Sequence, residues 1–136
     1  MDAIFPKSPI IKTFIVLLSC LPLFANAQGV ATAKIINKAD KSISVINLSG
    51  NDCMVVSTPN YSFKTLDVGS GDTASIIGTC DFILSSEGGQ IGEGQVEPYN
   101  IDYKNGKNQQ FNVALKDNSQ ASHDQFEGTY TITNSE

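Results

Sequence analysis

Ser122, His123 and Asp124 stand side by side and supply the three residue types of a hydrolase triad around the one histidine of the chain. A nucleophile, its base and an orienting carboxylate meet through the fold rather than as sequence neighbours, and no G-x-S-x-G elbow presents a serine. The triplet therefore reads as a solvated polar loop. Two acid pairs, Asp67 with Asp72 and Glu87 with Glu93, are the other candidates for catalysis, because a glycosidase needs only two carboxyls about 5 to 9.5 Å apart. Against that, the chain has no tryptophan to floor a sugar cleft. The same acids, in "DVGSGD" and "SEGGQIGEG", have the oxygen chemistry of a calcium site, but neither stretch matches an EF-hand loop or the glycine-rich calcium repeat. The glycines of "GGQIGEG" at 88–94 resemble a phosphate cradle in composition only. A strand pattern follows them where a phosphate loop needs a helix N-terminus, so the segment is expected to be a flexible loop. No catalytic residue, cofactor site or metal site is expected.

The cysteines carry more information. Lys7 and Lys12 precede the apolar run "FIVLLSCLPLF", and "ANA" follows it, which is the pattern of a secretory signal peptide over residues 1–27. The run is too short to cross a bilayer core about 30 Å thick, for which a helix needs about 20 apolar residues. Ala25 and Ala27 place cleavage between Ala27 and Gln28, leaving one domain over 28–136. A competing signal, "LLSC", resembles a lipobox and would anchor the chain through Cys20, although the apolar Leu21–Phe24 that follow are a poor tether. On either reading the domain is exported, secreted or periplasmic, and Cys53 and Cys80 remain in it. Two cysteines in an oxidising compartment are expected to form one disulfide. Structural zinc takes four ligands, which one histidine and two cysteines do not supply.

Beyond residue 27 the chain has seven lysines, no arginine and thirteen acidic residues, a net charge of −6. Phosphate backbones are held by Lys and Arg, so nucleic acid is excluded as the expected partner, as is an anionic membrane bound by charge.

Gly, Asn, Asp and Ser recur at short intervals between runs rich in Val, Ile, Thr, Phe and Tyr. Nine strands are expected, at 31–36, 43–48, 53–57, 63–68, 73–78, 80–85, 95–103, 108–115 and 126–133. No window sustains a helical period. Such a chain must bury its apolar faces on one another, so the expected fold is all-β: a small antiparallel β-sandwich, Ig-like or jelly-roll-like, of about 7–9 strands. Longer loops are expected at 85–94 and 116–125, and Pro98 is expected to put 95–103 at a sheet edge or in a bulge. At "KNGK", side-chain parity predicts a three-residue hairpin loop, Lys104-Asn105-Gly106. It would pair Tyr103 with Lys107 and Tyr99 with Phe111, so that both apolar rows share one face.

The expected function is that of an exported, non-enzymatic binding protein with a protein or glycan partner. Tyr61, after Pro59-Asn60, is the candidate aromatic anchor, and Glu87 and Glu93 of the 85–94 loop are the other candidate partner-binding residues. The order of short strands, with a glycine-marked turn and the "TASI" strand midway, resembles the aegerolysin cytolysins. That resemblance implies an alternative, a secreted membrane-active toxin, from which the lack of tryptophan is a departure. A small hydrolase is the third and remotest class.

Overall fold

The computed structural model describes residues 29–136; the expected signal peptide, its cleavage site at Ala27 and Gln28, and Cys20 lie outside the described residues. Eleven strands form: β1 (Val30–Asn37), β2 (Ile43–Asn47), β3 (Cys53–Val55), β4 (Tyr61–Ser62), β5 (Thr65–Val68), β6 (Thr73–Gly78), β7 (Cys80–Ser86), β8 (Gly89–Glu97), β9 (Asn100–Asn105), β10 (Phe111–Asp117) and β11 (Gln125–Asn134). They make two sheets, one in the order β9-β8-β7-β2-β5 and one in the order β10-β11-β1-β6-β3-β4. The only helical elements among the described residues are two single 3-10 turns, at Gly50–Asp52 and Ala121–His123. No helix among these residues is long and apolar enough to cross a membrane. The expected all-β sandwich is thus what forms, with one exception to its antiparallel order: the first and last strands, β1 and β11, pair in parallel.

The period of two in the sequence explains the layering. Along β11, Phe126, Gly128, Tyr130 and Ile132 are buried while Gln125, Thr129 and Thr133 face outward. Ile35 of β1, Ile76 of β6, and Val45, Phe82, Leu84 and Val96 of the facing sheet complete a core that is almost wholly shielded from solvent.

The 85–94 segment is not a loop. Glu87 and Gly88 form a two-residue turn between β7 and β8, and the strands pair from Ser86 and Gly89 onward. A bulge opposite Leu84 and Ser85 shifts the register at Ile91, so that Ile91 and Gly92 are both buried although they are adjacent. Beyond it Gly92, Gly94 and Val96 face the core. A Cβ on Gly94 would collide with the Phe82 ring, and one on Gly92 with the Tyr103 phenol. These glycines make room for aromatic rings within a strand, a role that composition does not distinguish from loop flexibility.

The rings they admit hold the two sheets together. Tyr130 of β11 meets Phe82 edge to face at 5.2 Å and Tyr103 at 6.1 Å, centroid to centroid. Its hydroxyl donates across the sandwich to the Asp102 carbonyl at 2.8 Å, with the Gln95 carbonyl at 3.3 Å. Burial raises the Tyr103 phenol to about 12. It pushes Tyr130 further above the ordinary tyrosine value, with the Asp102 carboxylate adding to the shift. Both folded values exceed the unfolded one of about 10, so this stability is complete below pH 10 and is lost as pH rises through about 12. Tyr130→Phe is therefore expected to lower stability at pH 7 by about 1 kcal/mol through the lost hydrogen bond, and yet to flatten the alkaline loss. Urea unfolding at pH 7, 9 and 11.5 measures both effects.

The hairpin expected at "KNGK" does not form. β9 pairs with β8, matching Tyr103 with Gly94 and Ile101 with Val96, and at Gly106–Gln110 the chain crosses to the other sheet, where β10 pairs with β11. The parity argument required that the two apolar rows be buried together. Ile101 and Tyr103 do pack against the core, but facing Phe111, Val113 and Leu115 from the other sheet rather than beside them in one sheet, and Tyr99 stands outside it. The 95–103 segment is likewise two strands, broken by a turn at Pro98–Tyr99.

Candidate functional site

Most sequence candidates are held apart. Ser122, His123 and Asp124 lie on the exposed 3-10 turn and its left-handed C-cap, and no hydrogen bond joins their side chains among the described residues. Glu87, at the β7–β8 turn, lines a depression with Lys41, Ser42 and Ser44; Glu93, midway along β8, lines another with Asp81, Asp102 and Lys104. The 85–94 pair is therefore divided between two surfaces. Asp67 and Asp72 do rim one groove of about 480 Å³, where Asp67 accepts a hydrogen bond from the Ser44 hydroxyl at 3.0 Å. Among the described residues no three His, Cys, Asp or Glu side chains gather where an ion would need them.

The expected disulfide is present. Cys53 and Cys80 are buried and bonded, with Cα atoms 5.0 Å apart. It ties β3 of one sheet to β7 of the other, at the corner where the chain passes from β6 to β7 in a single residue, Thr79.

Tyr61 stands 49% exposed on the two-residue edge strand β4, and Val56, beside its partner Val55, is also exposed. A more prominent aromatic was missed by the sequence reading. Tyr99 is 73% exposed at the tip of the β8–β9 hairpin, and its φ of 70° is one that side-chain-bearing residues rarely adopt. Pro98 explains the turn: its fixed φ suits the first central position, and a positive φ at the next is the type II pattern. The signal was in the sequence. Had Pro98 been read as a turn former rather than as an irregularity in a strand, Tyr99 would have been placed at a loop tip.

The Tyr99 ring lies on Phe126 of β11, centroids 4.6 Å apart and planes tilted by 53°. Phe126 in turn lines a depression of about 300 Å³ with Val30, Thr32, Gln125 and Glu127. On the other side of Tyr99, the Asn100 amide donates to the Gln95 side-chain oxygen at 3.2 Å, and the Gln95 amide to the Glu97 carboxylate at 3.4 Å. The register places Leu48, 51% exposed, at this same end: its N–H donates to the Asp81 carbonyl, and the adjacent Cys80 pairs with Val96, two residues before Pro98. One end of the sandwich thus carries an aromatic pair, exposed aliphatic side chains and a rim of planar amides and carboxylates, all on strand ends fixed by the core.

The fold and this end define an all-β, disulfide-locked sandwich with an aromatic surface at one pole. No protein-family model matches the chain, and none of the curated proteins matches its sequence.

Proposed function

We propose that this protein is an exported, non-enzymatic recognition domain, secreted or periplasmic, that binds a glycan through its Tyr99 pole. The observation that carries the reading is Tyr99 itself, a bulky ring held in a left-handed backbone conformation and left open to solvent. Such a conformation costs about 1–3 kcal/mol in a residue other than glycine, and costs of that kind cluster at ligand-binding positions. An exposed ring offers a flat apolar face for the C–H side of a sugar. Asn100, Gln95 and Glu97 beside it offer the paired donors and acceptors that hydroxyls need. The buried disulfide and the signal-like N-terminus support export. Tyr61, Glu87 and Glu93 become secondary contacts at most, because they lie on other surfaces.

Tyr99→Asn tests the assignment, since asparagine accepts a positive φ. Relief of the backbone offsets the lost stacking on Phe126, worth about 0.5–1.5 kcal/mol, so stability is expected to stay within about 1 kcal/mol. Retention on a panel of immobilised bacterial and host polysaccharides is expected to fall at least about ten-fold, in line with loss of an aromatic hot spot. A variant that binds as well as the wild type, or a wild type retained by no glycan, removes the reading. The exposed Val30, Leu48 and Tyr99 at the same pole favour the membrane-active alternative as the second reading. Dye release from neutral liposomes, abolished by Tyr99→Asn, would replace the first.

A further inference from the structure

A two-sheet sandwich has four edge strands, and here three are blunted. β4 has two residues and β5 four. On β9 the Tyr103 N–H is taken by the side chain of its neighbour Asp102, at 2.8 Å. β10 is different: seven residues long, without proline, and in unbroken register with β11. Its free side can be read from the hydrogen bonds at its two ends. The Ser135 N–H donates to Gln110 O and the Asn118 N–H to Glu127 O, so the even-numbered residues turn their backbone groups toward β11. The N–H and C=O groups of Phe111, Val113, Leu115 and Asp117 face outward. Among the described residues, none of them has a hydrogen-bond partner. An edge of this length with its backbone groups open is a template for another strand.

We propose that this edge is occupied by β10 of a second copy, antiparallel, about a two-fold axis through Ala114. Parity admits only registers that set odd residues opposite odd ones as hydrogen-bonded pairs. Of these, the register centred on Ala114 alone uses all four residues whose backbone groups face outward, matching Phe111 with Asp117 and Val113 with Leu115 of the other copy, so that every free N–H meets a free C=O. The side chains agree with that choice. On the outer face the exposed Lys116 meets the neutral Asn112 of the second copy rather than another lysine. Ala114 meets itself on the axis, at a non-hydrogen-bonded position where Cα atoms approach to about 4.5 Å and a small side chain is needed. On the inner face Val113 and Leu115, both partly exposed at the open edge, cover each other. The two six-stranded sheets then run on as one. Because the paired strands are antiparallel, the two Tyr99 poles point in opposite directions, so that the dimer bridges two ligands.

Three measurements on the purified, disulfide-intact protein test this. Sedimentation velocity between 1 and 100 µM (about two decades around a Kd of about 10 µM) is expected to show a concentration-dependent dimer. Ala114→Lys opposes two ammonium groups on the axis without touching the core, and is expected to weaken the dimer at least about ten-fold. Ala114→Cys is expected to form an intermolecular disulfide under mild oxidation, because the paired Cα separation of about 4.5 Å falls within disulfide range. Asn112→Cys is not, since its own counterpart lies four residues away, about 13 Å along the strand. A protein that stays monomeric throughout overturns the proposal. So does a dimer indifferent to Ala114→Lys, or cross-linking that is no better at 114 than at 112. An edge that instead binds an extended peptide of another protein, with this chain monomeric, also overturns it.

Discussion

Replacing Cys53 and Cys80 together by alanine is expected to lower the melting temperature by about 15–20 °C. Without the bond, the 27-residue separation between the two cysteines is no longer closed in the unfolded chain. The chain-entropy relation then gives a loss of about 3.6 kcal/mol, and for a domain of this size each kcal/mol moves the midpoint by about 4–6 °C. The geometry of the corner adds to this. At Gly78, φ is 113° and a Cβ would collide with the Asp52 carbonyl, so the backbone of the β3 entrance lies directly against the end of β6. With Thr79 the only residue between the sheets, the bond fixes the edge strand β3 to a chain reversal that has no slack. Thermal unfolding followed by circular dichroism, on the double alanine variant and on the reduced wild type, checks the value. Equal midpoints with and without the bond would show that the corner holds unaided.

Asn37→Ala is expected to cost about 3–5 kcal/mol, more than most core truncations of similar size. Asn37 is wholly buried at the end of β1. Its amide donates to the carbonyls of Lys41 at 2.8 Å and Val68 at 2.9 Å, and its side-chain oxygen accepts from the Ala39 N–H at 2.9 Å. Removing it leaves the buried Ala39 N–H unsatisfied, at about 1–3 kcal/mol, and takes from the Lys41 and Val68 carbonyls one hydrogen bond each, at about 1 kcal/mol apiece. Asn37→Asp adds a diagnostic pH dependence. A carboxylate there faces two carbonyl oxygens, so its folded pKa rises above the unfolded value of about 3.9. The protonated form is then the stable one: stability is greatest below pH 4 and falls as pH rises through the folded value. Urea midpoints from pH 3 to pH 7 should decline for Asn37→Asp, and a flat profile would contradict the buried-amide account.

The same device recurs. Asn47 accepts from the Ser49 N–H and donates to the carbonyls of Gly50 and Phe63; Asn108 accepts from the Gln110 N–H and donates to Ser86 and Gly89. In each case the side-chain oxygen makes an Asx turn with the residue two ahead, at the end of a strand for Asn37 and Asn47 and in the β9–β10 connection for Asn108, and the amide fastens that turn to a distant segment. Nothing in the sequence separates these three from the exposed asparagines around them. Asn-rich linkers announce turns, and only the tertiary partners of the amide turn three of them into bolts.

How far the sequence was legible depended on the range of the information. Alternation such as that of "FEGTYTIT" depends on neighbours two residues apart, so most of the strands, the lack of α-helix among the described residues and the sandwich class could be derived. Cysteine count and the expectation of export sufficed for the Cys53–Cys80 bond, because only one pairing was left. Misreadings came where local pattern admits two three-dimensional solutions. The "GGQIGEG" glycines serve a mobile loop or a strand packed under rings equally well. Pro98 suits a bulge as well as a turn, so local pattern alone leaves Tyr99 and Tyr103 on one strand where the structure separates them. The apolar rows flanking "KNGK" had to be buried together, which one sheet or two facing sheets accomplish alike.

Residue order by itself determined that this chain is a β protein, which faces of its strands seek the interior, and which two sulfurs join. Tertiary structure alone decided which strands are neighbours, that Tyr99 is lifted into solvent while Tyr61 stays at a minor edge, and that β10 is left with an open side. The reason is that burial is a property of a face, whereas partnership is chosen among many faces of similar hydrophobicity. That choice rests on small differences in twist, turn chemistry and amide bonding that are settled only when all the strands are in place.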